Sequence, residues 1–329
     1  RRSVDAAPAH FHNALCAADD RWLRARTGGG RVRFCVVELT GHSEPKLAVE
    51  RGGGILPLDA PPSLRDALEK LGPDGLRRLA RDAKGNPAPP GSVTRWHPPV
   101  PNPRTFRDFY AFEQHVKAAR ARRGLEMIPE WYQLAIFYFS NTGSLKGHLE
   151  AVKKPAATSE LDFELEVGAV LGKDVQDVRG EAAEDAIFGF LVLNDWSARD
   201  LQRQEMKCSL GPAKGKDFAT SIGPWVVTKD ELADRRVGPG RYDLTMLARR
   251  NGREISRANV KDLTHDFTRM IERGSRDAMM YRGDLIGSGT CGTGCILELG
   301  PENTGGWLQP GDTLELEIER LGVLTTPIV

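Results

Sequence analysis

Leu161-Asp162-Phe163-Glu164-Leu165-Glu166-Val167 alternates apolar and acidic residues, and further along the apolar run at 187–193 ends in Asn194-Asp195-Trp196-Ser197-Ala198-Arg199-Asp200-Leu201-Gln202. The first piece reads as a half-buried strand. On such a strand Asp162, Glu164 and Glu166 share one face, with alternate residues about 6.5–7 Å apart. The second reads as a buried strand that delivers a carboxylate, an Arg and a Gln at its end. Two glutamates two apart, with a distant aspartate, make an all-oxygen donor set suited to Mg²⁺ or Ca²⁺. Alternation alone is weak evidence, because acid on every second residue is ordinarily a solvent face. The chain carries its own comparison in Leu314-Glu315-Leu316-Glu317-Ile318-Glu319, which has the same alternation. That segment follows a Pro310-Gly311-Asp312 turn, has no such polar run behind it, and reads as a solvent face.

The two pieces, with Leu210-Gly211-Pro212-Ala213-Lys214-Gly215-Lys216-Asp217-Phe218-Ala219-Thr220 and Gly223-Pro224-Trp225, resemble the fumarylacetoacetate hydrolase superfamily. The resemblance runs over roughly residues 101–321. It implies a β-rich, mixed α/β fold built as a roll of mixed β-sheets, usually as a homodimer. It also implies Glu164, Glu166 and Asp195 as metal ligands, with Arg199, Gln202 and Lys216 in the catalytic site.

Composition sets the outer bounds. A chain of 329 residues can bury a sizeable core in one large domain or two smaller ones. A hydrophobic content of 40% with 28% charged residues fits a soluble globular protein. The net charge of +1 argues against nucleic acid or an acidic membrane as main partner. The apolar runs are far too short to cross a bilayer. Arg1-Arg2 is not followed by an apolar segment, so no secretory or twin-arginine signal is read. Five cysteines (Cys16, Cys35, Cys208, Cys291, Cys295) without Cys-x-x-Cys spacing read as reduced thiols of a cytoplasmic protein. Cys291 and Cys295 have no suitable His nearby in the chain, so zinc is not expected there.

Taken in order, residues 1–31 read as a weakly ordered extension with a short helix at 14–24. Residues 32–98 read as a small α+β N-terminal domain: strands at 32–37, 46–49 and 55–58, and a helix at 64–79. The proline-rich stretch 85–103 reads as its linker to a catalytic domain at 99–329. Residues 104–122 read as one helix, which puts Asp108 and His115, seven apart, on one face about 10 Å apart along the axis. By resemblance, Asp108-Phe109-Tyr110 and Gln114-His115 are the metal-ligand and catalytic-histidine segment, with Tyr110 contacting substrate. A buried strand is expected at 134–139, and its Tyr138 matches a substrate-contacting tyrosine of the family. Strands follow at 220–228 and 242–250, a hairpin turn at Asn251-Gly252, and a helix at 263–273 carrying His265 as a packing or surface histidine. His148 reads as a loop residue.

Gly287-Ser288-Gly289-Thr290-Cys291-Gly292 matches the dinucleotide fingerprint letter for letter. The fingerprint must open a helix, whereas Ile296-Leu297-Glu298-Leu299 reads as a strand, so the match is set aside. By resemblance this segment borders the active site, and Thr290 can hold a substrate carboxylate. Fumarylacetoacetases use a late glutamate to orient the catalytic histidine. Residues 285–296 contain no acid, so the base is either oriented by another group, such as Glu113 or Glu126, or works less well, which turns the expectation from fumarylacetoacetate itself toward acylpyruvates and other diketo acids.

The resemblance then implies the chemistry. One divalent cation (Mg²⁺ or Ca²⁺, with Mn²⁺ admitted) on Asp108, Glu164, Glu166 and Asp195 would polarise a β-diketo acid. His115 would activate water, while Arg199, Gln202 and Lys216 would donate to developing negative charge. The expected protein is a hydrolase of a C–C bond in a fumarylacetoacetate- or acylpyruvate-like acid from aromatic-compound breakdown, with no organic cofactor. Isomerase, decarboxylase or hydratase chemistry on a 2-oxo-diene dicarboxylate stands as the alternative. A metal-binding protein without catalysis is the remote one.

Overall fold

The computed structural model describes residues 32–329. The extension expected over residues 1–31, its short helix and Cys16 lie outside the described residues. Phe34, Val36 and Val37, of the β-branched and aromatic kinds that pack well on a pleated surface, are buried in the opening strand β1 (Arg33–Leu39). It pairs antiparallel with β2 (His42–Arg51), which pairs with β3 (Gly54–Pro57). Helix α1 (Leu64–Asp82) buries Leu64, Ala67, Leu68, Leu76 and Ala80 in one apolar cluster with Phe34, Leu47, Val49 and Leu56. Ser63 caps its N-terminus, and Gly72-Pro73 kink it. The proline-rich stretch expected as a linker is partly sheet, since β4 (Val93–His97) lies antiparallel on β1.

The chain continues through β5 (Phe106–Phe109), α2 (Glu113–Ala121), α3 (Pro129–Gln133), β6 (Phe137–Phe139) and β7 (Leu145–Lys146). Next come β8 (Leu161–Asp162), β9 (Leu165–Leu171), α4 (Glu181–Asp185), β10 (Ile187–Asp195), β11 (Ser197–Ala198), α5 (Arg199–Met206), β12 (Thr220–Ile222) and β13 (Val226–Thr228). β14 (Arg236–Gly238), β15 (Arg241–Tyr242), β16 (Thr245–Arg250), β17 (Arg253–Asn259), α6 (Phe267–Gly274) and β18 (Leu285–Gly287) follow, then α7 (Ile296–Leu299), β19 (Thr313–Ile318) and β20 (Gly322–Pro327). The fold is thus mixed α/β and rich in strand.

The large sheet runs β3-β2-β1-β13-β10-β9-β18-β5-β6, with β4, β7 and β12 attached at its sides. The strands of residues 32–98 therefore join those of the later chain through the β1–β13 pair. β10 is buried along its whole length, which is why it reads as an unbroken apolar run rather than an alternation. A second sheet runs β17-β16-β19-β20. The Asn251-Gly252 turn joins β16 to β17, with both residues at positive φ, as the sequence predicts.

Several local readings change. Residues 104–122 are not one helix. Phe106–Phe109 is a strand held between β18 and β6, and helix begins only at Glu113. The i,i+4 spacing of this stretch is overridden by two sheet neighbours that only an extended backbone can satisfy. The strand at 134–139 shrinks to Phe137–Phe139 and is not buried, because β6 is the sheet's edge; Phe139 is 63% exposed. The helix at 263–273 starts at Phe267 behind an Asp266 cap, which leaves His265 ahead of it. His265 is fully buried, and its Nε2 is bonded to the Trp131 carbonyl, so it is a packing histidine. His148 is also buried, where its Nδ1 accepts from the Thr325 N–H. On β19, Glu317 pairs with Arg249 in the manner of a surface strand, but Glu315 is buried, which corrects the solvent-face reading there.

Candidate active site

Five neighbouring strands deliver the site. Asp195 ends β10, Glu166 lies on β9, Gly287 on β18, Asp108 on β5 and Tyr138 on β6. Register places Gly287 beside Asp108, and Asp108 beside Tyr138. Carboxylate oxygens of Asp108, Glu166 and Asp195 come within 4.8 Å of one another, all three buried. Gly287 makes this possible, since a Cβ there would lie 2.3 Å from Asp108 Oδ1 and 3.0 Å from Glu166 Oε2. The close approach rather than a turn explains that glycine.

The polar contacts around the trio are asymmetric. The Gly289 N–H donates to Glu166 Oε2 at 3.0 Å. The Tyr138 hydroxyl donates to Asp195 and lies 3.4 Å from Asp108 Oδ2. Lys216 Nζ sits 2.7 Å from Asp195 Oδ2 and 2.5 Å from Glu164 Oε2, and Arg199 Nη1 is 2.8 Å from Glu164 Oε1. Glu164 therefore stands beside the trio with both oxygens taken by cations. Asp108 Oδ1 and Asp195 Oδ1 are buried with no hydrogen-bond partner.

The titration behaviour follows. Desolvation, then the neighbouring Asp195 charge, pushes Asp108 well above the usual carboxylate range, and burial beside Asp108 does the same to Glu166. Asp195 is raised by burial, with Lys216 opposing. Glu164 is desolvated too, but Lys216 and Arg199 outweigh that and hold it below its ordinary value. Lys216 in turn is held protonated by Asp195 and Glu164 against its own desolvation. Burying charge is costly unless it is compensated, and four carboxyls here face two cations, one of which is shared with Asp162. An all-oxygen, buried, electron-rich cluster with two unpartnered oxygens fits a hard divalent cation.

Asp162 does not join this cluster, and the acidic run is not one strand: it breaks at Phe163-Glu164 between β8 and β9. Asp162 is fully buried and accepts from Arg199 Nε (2.7 Å) and from the N–H groups of Phe163 (2.8 Å), Ile296 (2.7 Å) and Leu297 (3.0 Å). It thereby ties Arg199 to the first turn of α7. This also revises the argument on the glycine-rich segment. A strand precedes it and a helical turn follows, contrary to the strand expected at 296–299. The N–H groups a pyrophosphate would need are instead held by Asp162. Removing this carboxylate by Asp162→Ala leaves Arg199 a buried cation with one of its two carboxylate partners gone, and should cost about 3–5 kcal/mol of unfolding free energy, read by urea denaturation.

α7 carries the residue that the sequence reading misses. Glu298 Oε1 is hydrogen-bonded to His115 Nδ1, and its Oε2 accepts from the Thr293 N–H at 2.7 Å. Glu113 instead accepts from the Tyr132 hydroxyl, and the Glu126 carbonyl accepts from Arg120, so neither candidate orients His115. Glu298 lies two residues past the 285–296 window, and the strand reading of 296–299 hid it. The signal available in the sequence was simply an acid following the glycine-rich segment. His115 sits in the first turn of α2, buried, with the Tyr110 ring edge-on at 5.5 Å. Burial pushes the Tyr110 hydroxyl up to about 12, so it stays protonated at neutral pH. Gln202 Oε1 accepts from Arg199 Nη1 at 3.0 Å, which draws it to the same cation. Thr290 is buried one residue beyond Gly289, with no hydrogen bond from its side chain to the acidic trio.

Sheet order and site geometry meet in one family. Residues 104–329 match the family described as fumarylacetoacetate (FAA) hydrolase C-terminal, and the chain belongs to it. Among curated relatives it is 33% identical over 246 residues to the fumarylacetoacetase of Arabidopsis thaliana, covering 59% of this chain and 58% of the relative. It is 31% identical over 188 residues to a 2,4-didehydro-3-deoxy-L-rhamnonate hydrolase of Sphingomonas sp., covering 57% and 62%. The chain spans little more than half the length of these relatives. Two solved structures share the fold. A probable 2-hydroxyhepta-2,4-diene-1,7-dioate isomerase of Mycobacterium abscessus gives a TM-score of 0.68 at 22% identity, covering 91% of this chain and 98% of that one. Maleylpyruvate hydrolase of Sphingobium sp. SYK-6, in complex with manganese(II) and pyruvate, gives 0.66 at 24%, covering 89% and 98%. The curated relatives named are hydrolases, and the fold is shared by a probable isomerase as well. Among the described residues, no helix is long and apolar enough to cross a membrane.

Proposed function

We propose that this protein is a divalent-metal-dependent hydrolase that cleaves a C–C bond in a β-diketo acid of the fumarylacetoacetate or acylpyruvate type, as in aromatic-compound catabolism. The observation that carries the reading is the buried Asp108–Glu166–Asp195 trio together with a His115–Glu298 dyad, the trio tied through Lys216, Glu164, Arg199 and Asp162 to the helix that carries Glu298. The trio would hold Mg²⁺, Ca²⁺ or Mn²⁺, with Glu164 available as a fourth carboxylate. When bound, the cation supplies Lewis-acid polarisation of substrate oxygens.

The chain's own residues do the rest. Glu298 accepts from Nδ1 and so leaves Nε2 of His115 as the atom that takes a proton from water. The imidazolium that forms is stabilised by the same carboxylate. The hydroxide left by that transfer bonds the substrate's carbonyl carbon, the C–C bond at that carbon breaks, and the proton passes to the carbon released, which completes the hydrolysis. Lys216 and Arg199 hold positive charge where negative charge develops on the substrate. Tyr138, its hydroxyl already on Asp195, stands where a substrate oxygen can exchange for a carboxylate. Tyr110, Gln202 and Thr290 are assigned to the substrate-facing wall.

Loss of enol absorbance tests the reading, with fumarylacetoacetate and a panel of acylpyruvates in EDTA, Mg²⁺, Mn²⁺ and Ca²⁺. Cleavage that requires the cation supports it. Tight cation binding with no cleavage of any diketo acid overturns it in favour of isomerase or decarboxylase chemistry on the same scaffold.

Stability should report the cation as well. Asp108, Glu166 and Asp195 have raised pKa values in the folded chain, so folding favours their protonated forms. That contribution is complete below the unfolded values of about 4 and is lost as pH rises through the raised folded ones. Glu164 runs the other way, but its contribution is fully developed above the ordinary range. Melting temperature in EDTA should therefore fall as pH rises from about 5 to 8. Millimolar Mg²⁺ should remove most of the fall.

A further inference from the structure

Cys295 stands just ahead of α7, against the His115–Glu298 dyad. It is fully buried, its Sγ is 4.0 Å from Glu298 Oε1, and ligand atoms of His115, Cys295 and Glu298 lie within 4.8 Å of one another. In the linear sequence Cys295 has no histidine near it. The fold brings one from α2, 180 positions away in numbering. Imidazole, thiol and carboxylate together form a donor set quite unlike the all-oxygen trio: sulfur and nitrogen favour zinc-like cations, and oxygen favours Mg²⁺ or Ca²⁺. Tetrahedral zinc, with bonds of about 2.0–2.3 Å, places its sulfur and oxygen ligands about 3.6 Å apart. The Cys295–Glu298 separation is 4.0 Å, close to that, and the His115–Glu298 contact opens to admit the cation.

We propose that His115, Cys295 and Glu298 form a second metal site, selective for a soft divalent cation such as Zn²⁺ or Cd²⁺, whose filling switches the dyad off. On binding, the Cys295 thiol releases its proton to solvent and its sulfur bonds the cation. The imidazole proton moves from Nδ1 to Nε2 as Nδ1 becomes a ligand. Glu298 gives one oxygen, and the fourth position is left for water. No electron is transferred. Nε2 then carries a hydrogen and cannot accept one, so the proton-accepting role is lost while the trio keeps its own cation. Only this consequence rests on the hydrolase reading; the binding itself does not.

The test is a Cd²⁺ titration of the purified full chain in saturating Mg²⁺, following the ultraviolet thiolate-to-cadmium band. One equivalent should saturate the band, and excess Mg²⁺ should not displace it. Cys295→Ser should remove it, and His115→Ala, which deletes a ligand, should weaken Cd²⁺ binding by more than the roughly 10–100-fold that loss of an outer-shell partner costs. Cys208→Ala and Cys291→Ala, which leave the three donors in place, should keep the band. Absence of the band, its survival in Cys295→Ser, or its loss in Cys208→Ala overturns the site. Displacement by Mg²⁺ also overturns it, since a site that a hard cation can empty is not selective for a soft one. Zn²⁺ added to the enol assay at fixed Mg²⁺ should slow cleavage in step with occupancy. A band without slowing would refute the switch and leave the site.

Discussion

Asp108→Asn is expected to abolish cation binding and to lower kcat at least about 10³-fold, corresponding to the several kcal/mol that a bound Lewis acid supplies. Asp108 Oδ1 is one of the two buried oxygens without a hydrogen-bond partner, and the carboxyl touches Gly287 and neighbours both other members of the trio. Asn keeps the shape and removes the charge. The fold should survive, because the native chain already holds this carboxyl against strong desolvation and repulsion. In EDTA the variant should melt no lower than the parent at pH 8, whereas in Mg²⁺ only the parent should be stabilised. Calorimetric titration with Mg²⁺ and differential scanning fluorimetry check both arms. Asp195→Ala and Glu164→Ala should also lose activity and cation binding. They leave Lys216 or Arg199 short of a partner, so their stability readout is less clean. Full activity in Asp108→Asn would remove the metal reading altogether.

Glu298→Gln should lower kcat about 10²–10⁴-fold, the usual range for loss of general-base assistance, with Mg²⁺ affinity unchanged. Glu298 meets two donors, the His115 Nδ1–H on one oxygen and the Thr293 N–H on the other. Glutamine has one acceptor oxygen and one NH₂ group, so one of those donors must face an N–H. If the amide turns its oxygen to Thr293, its NH₂ points at Nδ1 and selects the wrong tautomer of His115. The pair of variants separates the two halves of the site. Asp108→Asn removes the cation and the rate together, while Glu298→Gln removes the rate alone. Equal loss of Mg²⁺ binding in Glu298→Gln would mean that the dyad serves the metal site instead.

The residues that the fold brings together in the candidate site were nearly all legible in the chain as candidates, because they sit in short polar runs attached to strongly patterned strands. Glu166 follows from alternation, Asp195 and Arg199 from the end of an apolar run that β10 buries completely. Lys216 and His115 were visible only through their resemblance to the family, since a lone Lys or His on a helix or loop carries no signal of its own. The errors have a common cause. Residues 104–122 have helical spacing and 296–299 have strand-like composition, and in both places partners distant in sequence reversed the local preference. β18 and β6 draw Phe106–Phe109 into the sheet. Asp162 receives two N–H groups of a turn 134 residues downstream and makes it helical.

Sequence by itself therefore determined the family, the strand-rich class and the supply of carboxylates, because these depend on local periodicity and on ordered motifs. Tertiary structure alone decided which acids do which work. Asp162, Glu164 and Glu166 are equivalent letters in an alternating run, yet one anchors Arg199 and α7, one is held between two cations, and one joins the trio. The physical reason is that a carboxyl's role is set by the charges and donors within a few ångströms. In this fold the deciding neighbours come from β5, β10, α5, the 210–220 loop, the turn after β18 and α7, all distant in the chain from residues 162–166.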